Sequence, residues 1–115
     1  MFRFLEGDGG VDIGRVAETF QMSRQQLAQT VGLGKTSVTK PARHSSAKAQ
    51  RRTKEMLEIL ARVRHWAGSD AHAMAWYRSE PIPALDGRTA ESLVRSGDAG
   101  AVRDYLDHLA LGGFA

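Results

Sequence analysis

The longest apolar periodicity in the chain lies between residues 47 and 67, and it dictates a helix. Thr53, Met56, Leu57, Leu60, Val63 and Ala67 recur at three- and four-residue intervals. They form one stripe of a long helix running from about Ala47 to about Trp66. A chain of 115 residues built around such a helix is one compact domain or two very small modules sharing a core. The first turns of the helix carry Lys48, Arg51, Arg52 and Lys54, a placement that opposes the helix dipole. Those basic residues therefore serve something other than the helix itself.

The helical period recurs on both sides. Ile13, Val16, Ala17 and Phe20 follow i, i+3, i+4, i+7 behind Asp12 as N-cap. Ser23 and Gln26 form a capping box, with Met22 and Leu27 placed as a hydrophobic staple. Leu27, Ala28 and Val31 make the apolar face of that helix, and Gly32 suits its left-handed end. A short segment anchored by Leu33 and Val38 follows and stops at Pro41. A polar connector then leads into the long helix. Past Gly68 and Ser69, Asp70 is the expected cap of a helix to about Ser79, with Ala73, Met74, Trp76 and Tyr77 as its bulk. Pro81-Ile82-Pro83-Ala84-Leu85 is extended, and Asp86-Gly87 is a turn. Thr89 caps a short helix with Ala90, Leu93 and Val94, closed by Gly97. Asp98 caps the last one, with Val102, Tyr105, Leu106 and Leu109. No run alternates as a strand does, so the fold class is all-α.

Charge divides the chain. Residues 1–65 hold 12 Lys and Arg against 6 Asp and Glu, whereas residues 66–115 hold 4 against 7. Within 35–54 there are seven basic residues and no acidic one, which points to a polyanionic partner. No apolar run approaches the roughly 18–20 residues needed to cross a bilayer, and no secretory signal is visible, so a cytoplasmic address is expected. With no cysteine, disulfides, thiolate nucleophiles and cysteine zinc sites are excluded. His44, His65, His72 and His108 include no His-x-x-x-His pair. Asp104 and His108, four apart, read as an exposed ion pair, and Glu55 and Glu58 as intrahelical partners of Arg51, Arg52, Arg62 and Arg64. Gly34-Lys35-Thr36 resembles the tail of a phosphate-binding loop, but Gln29 stands where that motif needs glycine. Neither a catalytic constellation nor a metal or cofactor site emerges, and the chain reads as a non-enzyme.

Residues 23–40 have the layout of a helix-turn-helix: a capped helix, a glycine turn and a second short helix with a buried valine. Leu27, Ala28, Leu33 and Val38 would lock the pair, leaving Lys35, Thr36, Ser37, Thr39 and Lys40 facing a major groove. Arg43, Lys48, Arg51 and Arg52 would lie beside it on flanking phosphates. The alternative is a structural three-helix core with a solvated basic face.

From Trp76 onward the chain resembles the toxin-binding domain of the Xre/MbcA/ParS antitoxins. The residues are Trp76, Pro81-Ile82-Pro83-Ala84-Leu85-Asp86-Gly87-Arg88-Thr89, Leu93-Val94, and the run from Gly100 to Ala115 that ends Leu111-Gly112-Gly113-Phe114-Ala115. The family often has proline after the threonine, where this chain has Ala90. The resemblance implies the antitoxin of a type II toxin–antitoxin pair, whose partner is a RES-domain toxin that consumes or transfers from NAD. The antitoxin covers the toxin's active site and represses its own operon through the helix-turn-helix. By itself the sequence lets Phe114 either fold back on the core or enter a partner, and the resemblance selects the partner. Arg88, Asp104, Asp107, His108, Leu111, Gly112, Gly113, Phe114 and Ala115 then become the expected toxin contacts, with a solvated polar face as the alternative for the charged ones.

The expected organisation is a helix-turn-helix region over 1–46, a connecting helix over 47–68 and a C-terminal toxin-binding region over 69–115. Operator DNA and toxin are the expected partners, with homodimers or a larger assembly with toxin, no cofactor and no membrane. The competing expectation is a helix-turn-helix regulator with no toxin, whose C-terminal half dimerises.

Overall fold

A computed structural model describes residues 11–32 and 47–111. Six α-helices carry the described chain: α1 (Ile13–Thr19), α2 (Arg24–Thr30), α3 (Ala47–Ala67), α4 (Asp70–Ser79), α5 (Ala90–Arg95) and α6 (Ala99–Ala110). A single 3-10 turn at Pro83–Leu85 joins α4 to α5 among the described residues. No strand occurs among them, as the periodicity predicts, and none of their helices is long and apolar enough to cross a membrane. The second helix expected for the helix-turn-helix, with Leu33 and Val38, lies outside the described residues.

Local chemistry sets the helix ends. Asp12 accepts the Arg15 amide at 3.0 Å to start α1. The capping box of α2 is complete: Ser23 Oγ accepts from the Gln26 amide at 3.0 Å, and Gln26 Oε1 accepts from the Ser23 amide at 2.8 Å. At α4 the cap is Ser69, not Asp70. Gly68, at φ +97°, ends α3 early enough to leave Ser69 extended, and its hydroxyl accepts the His72 amide at 3.1 Å. Asp70 instead sits in the first turn and pairs with Arg64 at 2.9 Å. Asp98 occupies the N-cap position of α6 but makes no side-chain cap bond. Its carboxylate turns towards Arg88 at 3.8 Å, while its amide closes the end of α5 by donating to Leu93 O at 2.7 Å. With Gly97 donating to Val94 O at 3.0 Å, that closure is the paired 6→1 and 5→2 pattern a left-handed glycine permits. The proline-rich segment folds back on itself, Ile82 donating to Arg88 O at 2.9 Å, and this places the Ile82 side chain in the core.

One apolar cluster runs through all six helices. α3 is its axis, packing against α4, α5 and α6, and its buried face extends from Ala49 to Val63. The long helix is thus part of the packed body along most of its length. Its buried stripe is wider than the periodicity predicts, because Ile59 and Arg52 are also inside.

Polar bonds tie α1 and α2 to this body. The Gln50 side-chain amide pairs with the Val11 backbone as a strand neighbour would, accepting at 2.6 Å and donating at 3.1 Å. Arg78 donates to Thr30 Oγ1 at 3.0 Å. Arg52 donates from Nη1 to Val31 O at 3.1 Å and to Arg95 O at 2.9 Å. Those carbonyls are the C-terminal ends of α2 and α5, where unpaired acceptors and the negative dipole poles gather. Gly32 lets the two ends meet: it sits at φ +79°, and a Cβ there would lie 3.0–3.1 Å from Arg95 backbone and Cβ atoms.

Two substitutions probe this interior. Arg52→Met keeps much of the apolar volume but strands two inward carbonyls, and is expected to lower unfolding free energy by about 2–3 kcal/mol in urea titrations. An unchanged midpoint would show that the guanidinium contributes nothing. Tyr77 is fully buried and its hydroxyl has no partner among the described residues. Burial, then the nearby Glu91 and Glu55 carboxylates, push its pKa well above the ordinary value. Above about pH 10 the unfolded chain therefore sheds a proton that the folded chain keeps, and stability falls as pH rises. Tyr77→Phe is expected to be neutral or stabilising by up to about 1 kcal/mol at pH 7. It should also flatten the alkaline limb of a stability-against-pH curve.

Candidate partner-binding site

The C-terminal half of α3 and the helix α6 lie side by side, held by two ion pairs. Arg103 grips Glu58 with both Nε and Nη2 at 3.0 Å, and Arg62 Nη2 meets Asp107 at 2.8 Å. Sequence spacing assigns Glu58, Arg62 and Arg64 to partners within their own helix, but each pairs across to another helix. Of the three, Arg103–Glu58 is bidentate, the fork geometry that adds directional specificity to charge.

Beyond these pairs the two helices part into an open groove of about 690 Å³. Arg62, His65 and Trp66 of α3 line one wall, and Leu106, Leu109 and Ala110 of α6 the other. Trp66 is 55% exposed and stands edge-on to Trp76, with centroids 5.6 Å apart and planes at 87°. Leu111, next after Ala110, is 88% exposed. Among the described residues these two are the exposed large hydrophobic side chains, and both belong to this end of the molecule. A second cleft, of about 360 Å³, lies between the α1–α2 turn and α4–α5, and is polar, with Arg78, Arg95, Gln26 and Gln29 in its walls.

The residues expected at a partner interface are distributed unevenly around this groove. Asp104, Asp107 and His108 are exposed, as expected for a polar helix face. At 3.6 residues per turn, Asp104 and His108 project from the side of α6 away from Leu106, Leu109 and Ala110. Among the described residues they form no ion pair with each other or with any other group, so the pairing expected from their spacing is absent. Asp107 is at the groove edge, engaged by Arg62. Arg88 is half-buried and engaged within the chain. It donates to Ser92 Oγ at 2.9 Å, to Ser92 O at 3.0 Å and to Ser96 Oγ at 2.6 Å, stitching the proline loop onto α5. Leu111 is exposed beside the groove; Gly112, Gly113, Phe114 and Ala115 lie outside the described residues.

Of the residues expected on DNA, Lys35, Thr36, Ser37, Thr39, Lys40 and Arg43 lie outside the described residues. Lys48 and Arg51 are exposed on the first turns of α3, with no acidic partner among the described residues. Arg52 corrects the expectation. It is 9% exposed, and its charge is directed at two helix ends rather than at solvent.

Sequence reasoning passed over Trp66 as a site residue and treated Leu106 and Leu109 only as core. One signal was there: an aromatic one turn past Val63, facing a final helix whose apolar run continues through Leu109, Ala110 and Leu111.

Residues 62–112 match the family of antitoxin Xre/MbcA/ParS C-terminal toxin-binding domains. This match supports an antitoxin role in a toxin–antitoxin pair, with a toxin protein as the partner. It begins in α3, well before the Trp76 at which the resemblance was read. Its first residue, Arg62, is also the first residue of the groove, and it ends one residue past Leu111. No curated protein and no solved structure matches the chain.

Trp66 packs against Trp76 and is 55% exposed. Trp66→Ala is expected to change unfolding free energy by less than about 1.5 kcal/mol. Urea unfolding followed by Trp76 fluorescence measures this, and a larger loss would place Trp66 in the core rather than in a binding wall.

Proposed function

We propose that this chain is the antitoxin of a type II toxin–antitoxin pair. It binds a RES-domain toxin that consumes or transfers from NAD, and occludes that toxin's active site. The carrying observation is the coincidence of the matched segment with an apolar groove edged by exposed Trp66 and Leu111. A face of that kind is stable in water only as part of a complex or as a small patch. Inhibition is steric. In this reading Gly112, Gly113, Phe114 and Ala115 enter the toxin's substrate channel, and Asp104, Asp107 and His108 meet a basic rim. The chain itself performs no chemistry, and it acts in the cytoplasm.

The second activity in this reading is repression of its own operon. Residues 1–46 form the operator-reading region with Lys35, Thr36, Ser37, Thr39, Lys40 and Arg43, and Lys48 and Arg51 touch flanking phosphates. Residues 47–68 join it to the toxin-binding region over 69–115, and two copies read two half-sites.

The test is co-purification from the native operon with the tag at the N-terminus. The expected result is a stoichiometric partner whose NAD consumption appears only when this chain is stripped away. A version ending at Leu111 should inhibit poorly. Absence of any partner, together with salt-sensitive binding to the operon's promoter, would replace this reading with a regulator whose C-terminal half dimerises.

A further inference from the structure

We infer that the groove between α3 and α6 is the seat of affinity for the toxin, separate from the terminal residues that block catalysis. The inference rests on the antitoxin reading and assigns its binding energy to a surface. Its occupant is a short apolar ridge on the toxin, two or three adjacent apolar side chains on one helix or strand.

Three features select that occupant. The groove is open along its length and offers no converging polar groups: its polar lining is Arg62, already neutralised by Asp107, and His65. A small polar ligand would find nothing there to orient it. A protein ridge needs only shape and apolar area, which Trp66, Leu109 and Ala110 supply, Leu106 being itself buried. Trp66 has the character of an interface anchor: a large rigid ring, held from behind by Trp76 and exposed in front. Finally, the match to toxin-binding domains spans this groove from its first lining residue to just past its last. The polar face of α6 carrying Asp104 and His108 points away from it. The groove itself therefore binds without help from charge, and its share of the affinity does not depend on salt.

The division of labour is testable because affinity and inhibition are read separately. The full chain and its co-purified toxin are titrated against each other at low and high salt, and toxin NAD consumption is followed in parallel. Trp66→Ala removes a wall of the groove, and Ala110→Arg fills it. Both positions are exposed, so circular dichroism and urea midpoints should stay near those of the parent chain. Each variant is expected to weaken toxin binding by about 30-fold or more. Inhibition should still be complete once the variant is saturating. Gln25→Ala, exposed on α2, should bind as the parent does. The factor by which Trp66→Ala weakens binding should be the same, within about threefold, at 50 and 500 mM salt, since salt weakens only the charged contacts that this variant keeps. Folded groove variants that bind within threefold of the parent would overturn the inference. So would variants that alter self-association of the free chain but not toxin affinity, which would make a second copy the occupant. Failure of the parent chain to retain any toxin would remove the antitoxin reading and this inference together.

Discussion

Arg52 carries a full positive charge into the interior of a small helical protein and divides it between two carbonyls that no helix can use. Val31 O and Arg95 O are the last acceptors of α2 and α5, so one guanidinium answers two helix C-termini at once. A buried cation is tolerable only where acceptors converge on it. Here convergence requires α2, α3 and α5 to meet at a single point. The apolar cluster could form with α2 tilted in several ways. The Arg52 bonds select one of them, Arg78 on Thr30 adds a second tie to α2, and Gln50 on Val11 fixes the start of α1. Specific orientation thus comes from polar bonds laid over a non-directional core.

That arrangement also explains what could be read in advance. Helix positions, the Ser23 capping box, the Asp86-Gly87 turn and the left-handed glycines follow from neighbours within a few residues, and a sequence displays those directly. Arg52 does not, because it sits in a run of seven basic residues and its acceptors lie 21 and 43 positions away. The acidic partners of Arg62 and Arg103 fail for the same reason: local spacing offers a nearer charge, while folding delivers a better-aligned one. The groove was legible only in fragments. Its residues look like ordinary core positions until α3 and α6 are seen side by side, with Trp66 exposed and Leu109 only partly covered between them. Ser69 displacing Asp70 as cap is a finer case, decided by where Gly68 ends the preceding helix.

The same helix serves both candidate surfaces. The first turns of α3 show Lys48, Arg51 and Lys54 to solvent, and its last turns form a wall of the groove. These suit different partners for physical reasons. A basic face attracts at long range and weakens with salt, whereas an apolar groove acts at contact and does not. A polyanion and an apolar ridge can therefore occupy one rod without competing for the same groups.

Gly32 has a mechanical meaning. The end of α2 lies against the end of α5 with too little space between them for one methyl group. Side chains can yield to a push by changing rotamer, but a backbone pressed against a backbone has no such slack. A side chain larger than hydrogen at position 32 would therefore have to push the two helix ends apart, and α5 carries the Schellman closure that leads into α6.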